Sequence, residues 1–177
     1  ASTLDEIEDL NEKLSKAKEI SKSYEKLGAT EKKAETEKII KKIETQIAQQ
    51  NFEEAKATFE KNREIMDTVL LQIYADNYIK AYEAIAVAPE AQANVKRLSK
   101  QLQDEIKSKE TLINIQEIFN NLNETLIKLS LENALEYLQK TSETYSGTLT
   151  DEQKSKLDKL TIEYKTKIEE QNKAKAL

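Results

Sequence analysis

The chain has 177 residues, of which 34% are charged, 38% are hydrophobic and only 6% are aromatic. It carries 28 Lys and Arg residues against 33 Asp and Glu residues, and it contains no Cys and no His. Their absence excludes a disulfide framework, a cysteine-based zinc site, a thiol nucleophile and a Ser-His-Asp triad. The sequence therefore argues against an enzyme, and it predicts no catalytic residue, no metal site and no cofactor.

Glycine and proline are scarce, with two Gly and one Pro in the whole chain. A sheet with many turns depends on these residues, whereas most of the abundant residues here are good helix formers. We therefore expect an all-α protein. The expected architecture is an elongated antiparallel bundle of about five to seven helices joined by short turns. We expect it to form a single domain over residues 1–177.

The first helix is predicted over residues 4–27, where leucine and isoleucine recur every three or four residues. Thr3 and Glu6 have the spacing of a capping box at its start. Gly28 is placed to end it, because glycine adopts the left-handed conformation that follows many helices. Thr30 is then the expected cap of a second helix.

A tight turn is predicted near Asn51, because Asn followed three residues later by Glu is a further capping signal. The helical pattern then continues over residues 52–87, with a break considered near Asp76. Pro89 ends this long helix, because proline disfavours helical conformation in the residue before it. Proline also suits the first turn of the helix that follows.

Three further helices are predicted in the second half of the chain. After a boundary at residues 108–111, leucine, isoleucine and phenylalanine mark a helix over 112–129. Ser130 is placed to cap a following helix, although the preceding helix could also run on. The clearest break is at Gly147, and Thr150 begins a capping box for the last helix.

Charged residues are unevenly distributed along the chain. They are sparse in residues 65–88 and 111–138, and dense in residues 1–64 and 139–177. A helix that is apolar on several sides is covered on several sides, whereas a charged amphipathic helix buries one stripe. We therefore expect the two sparse segments to be central helices.

A stripe of aromatic residues is the candidate partner-binding site. Tyr74, Tyr78 and Tyr82 recur every four residues, with Leu71 beside them. Tyrosine is common at protein interfaces because its rigid ring ends in a polar hydroxyl. The alternative is that the same rings pack along the edge of the bundle, since most helical aromatic stripes are packing surfaces.

The function predicted from these features is that of a non-catalytic protein-binding or structural module, displayed on a bacterial surface or secreted. The acidic balance argues against nucleic acid as a partner, and no segment is apolar enough for a transmembrane helix. The first residues lack the basic and apolar regions of a signal peptide, so we expect a mature chain or a fragment. We expect a monomer or a weak homo-oligomer.

Two alternatives remain open. The chain could be an intracellular, cytoplasmic adaptor that oligomerises through the coiled-coil pattern of its first helix. It could also form a tetratricopeptide-like solenoid, because residues 51–61 and 130–140 resemble each other. Their separation does not fit the period of that repeat, so this interpretation is less favoured.

Overall fold

The computed structural model describes residues 9–110 and 113–176. Within these residues every regular element is a helix, which confirms the predicted all-α, bundle-like class. None of the described helices is both long and apolar enough to cross a membrane. The eight described helices are α1 (Leu10–Lys26), α2 (Thr30–Asn62), α3 (Thr68–Ile85), α4 (Pro89–Lys109), α5 (Ile115–Asn120), α6 (Leu122–Ile127), α7 (Leu131–Thr144) and α8 (Asp151–Ala176).

Gly28 ends α1 as predicted. Its φ angle of 70° lies in the left-handed region, and its N–H donates to the carbonyl of Glu25. The next N–H, of Ala29, donates to the carbonyl of Tyr24 over 3.0 Å. These two bonds form a Schellman motif, which satisfies the last carbonyls of the helix. The predicted capping box of Thr3 and Glu6 lies outside the described residues. The predicted start at residue 4 is wrong for α1, which begins at Leu10, because Asp9 is extended and its side chain caps the helix by accepting a hydrogen bond from the N–H of Glu12.

Three more predicted helix boundaries are confirmed, whereas Thr30 is the first residue of α2 rather than its cap, and its hydroxyl donates to the carbonyl of Gly28. Pro89 is the first residue of α4, and the Ser130 hydroxyl accepts a hydrogen bond from the N–H of Asn133 at the start of α7. Thr150 and Gln153 form the predicted capping box, in which each side chain accepts a hydrogen bond from the other's N–H. These signals are local, so neighbouring elements do not alter them.

Three other predicted boundaries are wrong. The turn near Asn51 is absent, because α2 runs through it on good helix formers without a glycine or proline. The chain breaks instead at residues 63–67, between α2 and α3, while α3 continues past Asp76. The predicted helix over 112–129 is divided at Asn121 into α5 and α6.

The described residues group into two compact units, each built from separate parts of the chain. The first unit draws its described residues from Ala1–Glu60 and Asn77–Leu98, and the second from Lys61–Asp76 and Ser99–Leu177. The first part of α3, up to Asp76, therefore belongs to the second unit and the rest of α3 to the first. In α4, the residues up to Leu98 belong to the first unit and those from Ser99 onward to the second.

In the first unit, α1 and the first part of α2 pair along a narrow apolar seam. Ala17 and Ile43 are fully buried at its centre, and the partly buried side chains packed against them are Leu14, Ile20, Ile40 and Ile47. Two small polar residues, Ser21 and Thr36, are also buried on these helices. The coiled-coil pattern predicted for the first helix is therefore used within the chain.

In the second unit, the first two turns of α3 are buried on nearly every side. The buried side chains are Val69, Leu70, Leu71, Ile73, Tyr74 and Ala75. This confirms that the start of α3 is central, as its low charge predicts. The α5–α6 segment instead keeps a solvent face, because Asn120, Asn121 and Asn123 are exposed while Ile118, Leu122 and Leu126 are buried.

Candidate functional site

The structure places most of the predicted tyrosine stripe inside the protein. Leu71 is 0% exposed, Tyr74 is 7% exposed and Tyr78 is 8% exposed, while Tyr82 is half-buried. Leu71 and Tyr74 belong to the second unit, and Tyr78 and Tyr82 belong to the first. A partner can contact only exposed rings, so this burial favours the packing interpretation of the stripe.

Within the first unit, the two tyrosines pack against phenylalanines of α2. The ring of Tyr82 lies 5.1 Å from that of Phe52, and the ring of Tyr78 lies 5.8 Å from that of Phe59, centroid to centroid. Tilted ring pairs at these separations add stability beyond the area that they bury. Phe59 is fully buried, so this aromatic cluster is part of the unit's core.

The second unit contains a partly buried polar pair, Asp67 and Tyr137, that the sequence analysis did not identify. Asp67 precedes α3, and its carboxylate accepts a hydrogen bond from the N–H of Leu70 over 3.2 Å. The other carboxylate oxygen accepts a hydrogen bond from the hydroxyl of Tyr137 on α7, whose side chain is fully buried. Burial raises the pKa of Asp67, and its hydrogen bonds oppose part of that rise.

The same carboxylate influences the tyrosines around it. Burial and the negative charge of Asp67 raise the pKa of Tyr137 and that of Tyr74. Burial also raises the pKa of Tyr145, and Asp67 adds to that rise. All three hydroxyls therefore stay protonated near neutral pH, and they act as neutral polar groups rather than as acids.

A groove of about 460 Å³ opens beside Asp67, between the loop that precedes α3 and the α5–α6 segment. Its apolar lining comes from Ile65, Met66, Leu70, Tyr74, Ile113 and Ile118. Met66 is 45% exposed, which makes it one of the few large apolar side chains that the second unit leaves accessible. Volumes of ~300–1,000 Å³ are typical of clefts that bind ligands.

The groove also carries an excess of acidic side chains. Four carboxylates line it, from Glu64, Asp67, Glu117 and Glu124, against the single ammonium of Lys128. Glu64, Glu117 and Glu124 are exposed, and each lies on a different element of the second unit. In the described part of the chain, no three acidic side chains converge in the way that a metal ion requires.

The loop that forms one side of the groove is held to α4. The guanidinium of Arg63 donates two hydrogen bonds to one oxygen of Glu105, over 2.7 and 3.0 Å, and one to the other oxygen over 2.9 Å. The ammonium of Lys109 donates to the backbone carbonyl of Arg63. The hydrogen bonds that Glu105 accepts from Arg63 lower the pKa of the Glu105 carboxyl. These contacts connect the loop to a neighbouring helix.

A smaller cavity of about 240 Å³ lies elsewhere in the second unit. Its lining alternates between apolar residues such as Ile73 and Ile106 and charged residues such as Glu136 and Lys140. Its charged lining is also mainly acidic, with Asp76, Glu110 and Glu136 against Lys140, in about half the volume of the groove.

Sequence signals existed for part of this site. Asp67 directly precedes a run of apolar residues, which is the position of a helix N-cap. Tyr137 falls in the apolar repeat of α7 with Ala134, Leu138 and Thr141. Nothing in the sequence connects the two residues, however. Searches of protein families, of characterised proteins and of solved structures found no match for this chain.

Proposed function

We propose that the chain is a non-catalytic protein-binding module whose groove, beside Asp67 in the second unit, receives a segment of a partner protein. The observation that carries the proposal is the combination, in one groove, of an apolar lining with an exposed Met66 and three exposed glutamates. Protein interfaces have this composition, with apolar contacts at the centre and polar groups around them.

Met66 is the apolar residue best placed for such a contact. It is half-exposed at the groove, and its unbranched side chain adapts to the shape of whatever binds. Tyr74 lines the same groove from α3, so one residue of the predicted stripe takes part in this surface. The binding surface that we propose is therefore centred on Met66 rather than on Tyr78 and Tyr82.

The alternative function is that of a coiled-coil adaptor that oligomerises through its first helix. The seam of α1 packs against α2 of the same chain, with Ala17 and Ile43 fully buried between them. A second chain would have to displace that packing. This observation favours the binding module, and a monomer in sedimentation experiments would support it. A stable oligomer would favour the adaptor.

We also propose that the module acts on a bacterial surface or as a secreted protein, with the cytoplasm as the alternative setting. Support comes from the composition, because a cysteine-free chain has no thiol to oxidise outside the cell. Antibody labelling of intact source cells tests this. Labelling only after the cells are lysed would refute surface display.

Selection from a random peptide display library tests the binding function directly. The immobilised chain is the target, and the Met66→Asn variant is used to discard peptides that bind elsewhere. We expect enriched peptides that bind the natural chain and lose at least about tenfold in affinity for Met66→Asn, because the substitution replaces an apolar contact with a neutral polar group that must be desolvated.

The matched control is Ile127→Asn. Ile127 is also a large apolar residue of the second unit and is 79% exposed, but it does not line the groove. Peptides selected on the groove should bind this variant as they bind the natural chain. If the enriched peptides lose affinity equally for both variants, or if no peptide is enriched, the proposal is overturned.

A further inference from the structure

The charges around the groove indicate what kind of segment it receives. The chain as a whole is only slightly acidic, with 28 basic and 33 acidic residues, but the groove presents four carboxylates and one ammonium. A concave surface with one sign of charge concentrates ligands of the opposite sign. The complementary partner segment is therefore positively charged.

The arrangement of the carboxylates distinguishes between two kinds of cation. Glu64 lies in the loop before α3, Glu117 lies on α5 and Glu124 lies on α6. Across the described residues, no three acidic groups gather around one point, as a bound metal ion would need. Separate carboxylates are suited to several separate ammonium or guanidinium groups.

The fourth carboxylate has a different role. Asp67 already accepts hydrogen bonds from Tyr137 and from the backbone of Leu70, and burial disfavours its charged form. Its part is to fix the start of α3 beside the groove. The three exposed glutamates are the groups that remain to meet a cationic partner.

The floor of the groove requires an apolar component as well. Met66, Ile65 and Ile113 offer aliphatic surface, and Tyr74 offers part of a ring. Lysine and arginine side chains have apolar stems that lie well along such a surface while their charged ends reach carboxylates. Aliphatic residues between them would cover the rest of the floor.

We infer that the groove binds a basic, amphipathic segment of a partner protein, in which lysine or arginine residues are interspersed with aliphatic ones. This inference rests on the proposed function and specifies the chemistry of its partner. The apolar residues of the segment lie on the floor around Met66, and its cations meet Glu64, Glu117 and Glu124.

The single methionine of the chain makes the test specific to the groove. Chain labelled with a ¹³C methyl group on methionine gives one NMR signal, from Met66. The probe is a peptide of about ten residues, long enough for a bound segment, that alternates leucine and lysine. Two matched peptides replace every lysine with glutamine or with glutamate. We expect the lysine peptide to shift the Met66 signal saturably, and to bind more weakly as salt is added.

Two triple variants of equal net charge separate the groove from the general acidity of the chain. One carries Glu64→Gln, Glu117→Gln and Glu124→Gln. The other changes three exposed glutamates of α8, at positions 152, 163 and 170, in the same way. The groove variant should bind the lysine peptide at least about tenfold more weakly, while the α8 variant binds it nearly as the natural chain does.

Each other outcome has a definite meaning. If the glutamine or glutamate peptide shifts the Met66 signal as well as the lysine peptide does, the groove binds peptides but the inferred charge is wrong. If no peptide shifts it, the proposed function fails too. If lysine amide at the same concentration reproduces the full shift, the groove binds a small cation rather than a peptide segment. If the Met66 signal shifts when only the protein concentration is raised, a second copy of the chain occupies the groove.

Discussion

The hydrogen bond between Tyr137 and Asp67 is the most informative place to perturb the second unit. The variant Tyr137→Phe removes one oxygen and leaves the ring, which is fully buried on α7. The packing of the ring is preserved, so the change removes the polar contacts of the hydroxyl alone, which are its hydrogen bond to the Asp67 carboxylate and its contact with Thr141. That carboxylate keeps its bond from the N–H of Leu70.

The expected cost is about 2 kcal/mol at pH 7. A hydrogen bond to a charged group contributes ~1.5–3 kcal/mol, and a neutral one ~0.5–1.5 kcal/mol. The value for a charged group applies while Asp67 is ionised, because its partly buried carboxylate would lose the hydrogen bond from Tyr137.

The cost should also depend on pH, with a definite sign. The hydroxyl of Tyr137 lowers the pKa of Asp67, so its removal raises that pKa further above the ordinary value of 3.8. A carboxyl whose pKa is higher in the folded than in the unfolded state loses stability as the pH rises between the two values. The variant should therefore lose more relative to the natural chain at pH 7 than near pH 4.

Urea unfolding followed by circular dichroism at 222 nm measures the loss, and hydrogen exchange with mass spectrometry locates it. Protection should fall in α7 and at the start of α3, both in the second unit, and stay unchanged in α1. The control is Tyr24→Phe in the first unit, which also removes one hydroxyl and keeps the ring beneath the ammonium of Lys32. It should change stability by less than about 0.5 kcal/mol. A loss for Tyr137→Phe no greater than that of the control, or an equal loss at both pH values, would refute the reasoning.

Three further substitutions test packing and helix ends. Phe59→Ala empties a fully buried site in the first unit and should cost ~3–5 kcal/mol in urea unfolding; a cost below 1 kcal/mol would contradict its place in the core. Gly28→Ala should cost ~1 kcal/mol from backbone strain alone, since an added methyl group meets no atom within 4 Å. Unchanged stability would mean that the turn adjusts. Thr150→Ala should cost ~0.5–2 kcal/mol and speed hydrogen exchange at the start of α8, and equal exchange would contradict the cap.

The sequence predicted helix ends well where the signal is a short-range hydrogen bond. Gly28, Ser130 and Thr150 end or begin helices as expected, because each acts on residues at most a few positions away. The break at residues 63–67 also has a capping residue, Asp67, at the start of α3. It was missed because the sequence has a helical pattern on both sides of the break. Near Asn51 a capping signal was outweighed by strong helix formers on either side.

The candidate site was harder to predict, because it depends on residues that are distant in the sequence. The spacing of the tyrosine stripe shows that its residues lie on one face of a helix. Spacing does not show which neighbouring element covers that face. Phe52 and Phe59 of α2 cover Tyr78 and Tyr82 in the first unit. Asp67 and Tyr137 are 70 positions apart, and only the tertiary fold brings them together.

The interleaved composition of the two units has a consequence for synthesis on the ribosome. The first unit is complete once residue 98 has emerged, but the second also needs the chain that follows Ser99. Translation at ~5–20 residues per second leaves a delay of roughly 4–16 s before its last helix is made. During that time the second unit lacks the chain from Ser99 onward, so the apolar start of α3, including Leu71 and Ile73, cannot be buried as it is in the folded unit.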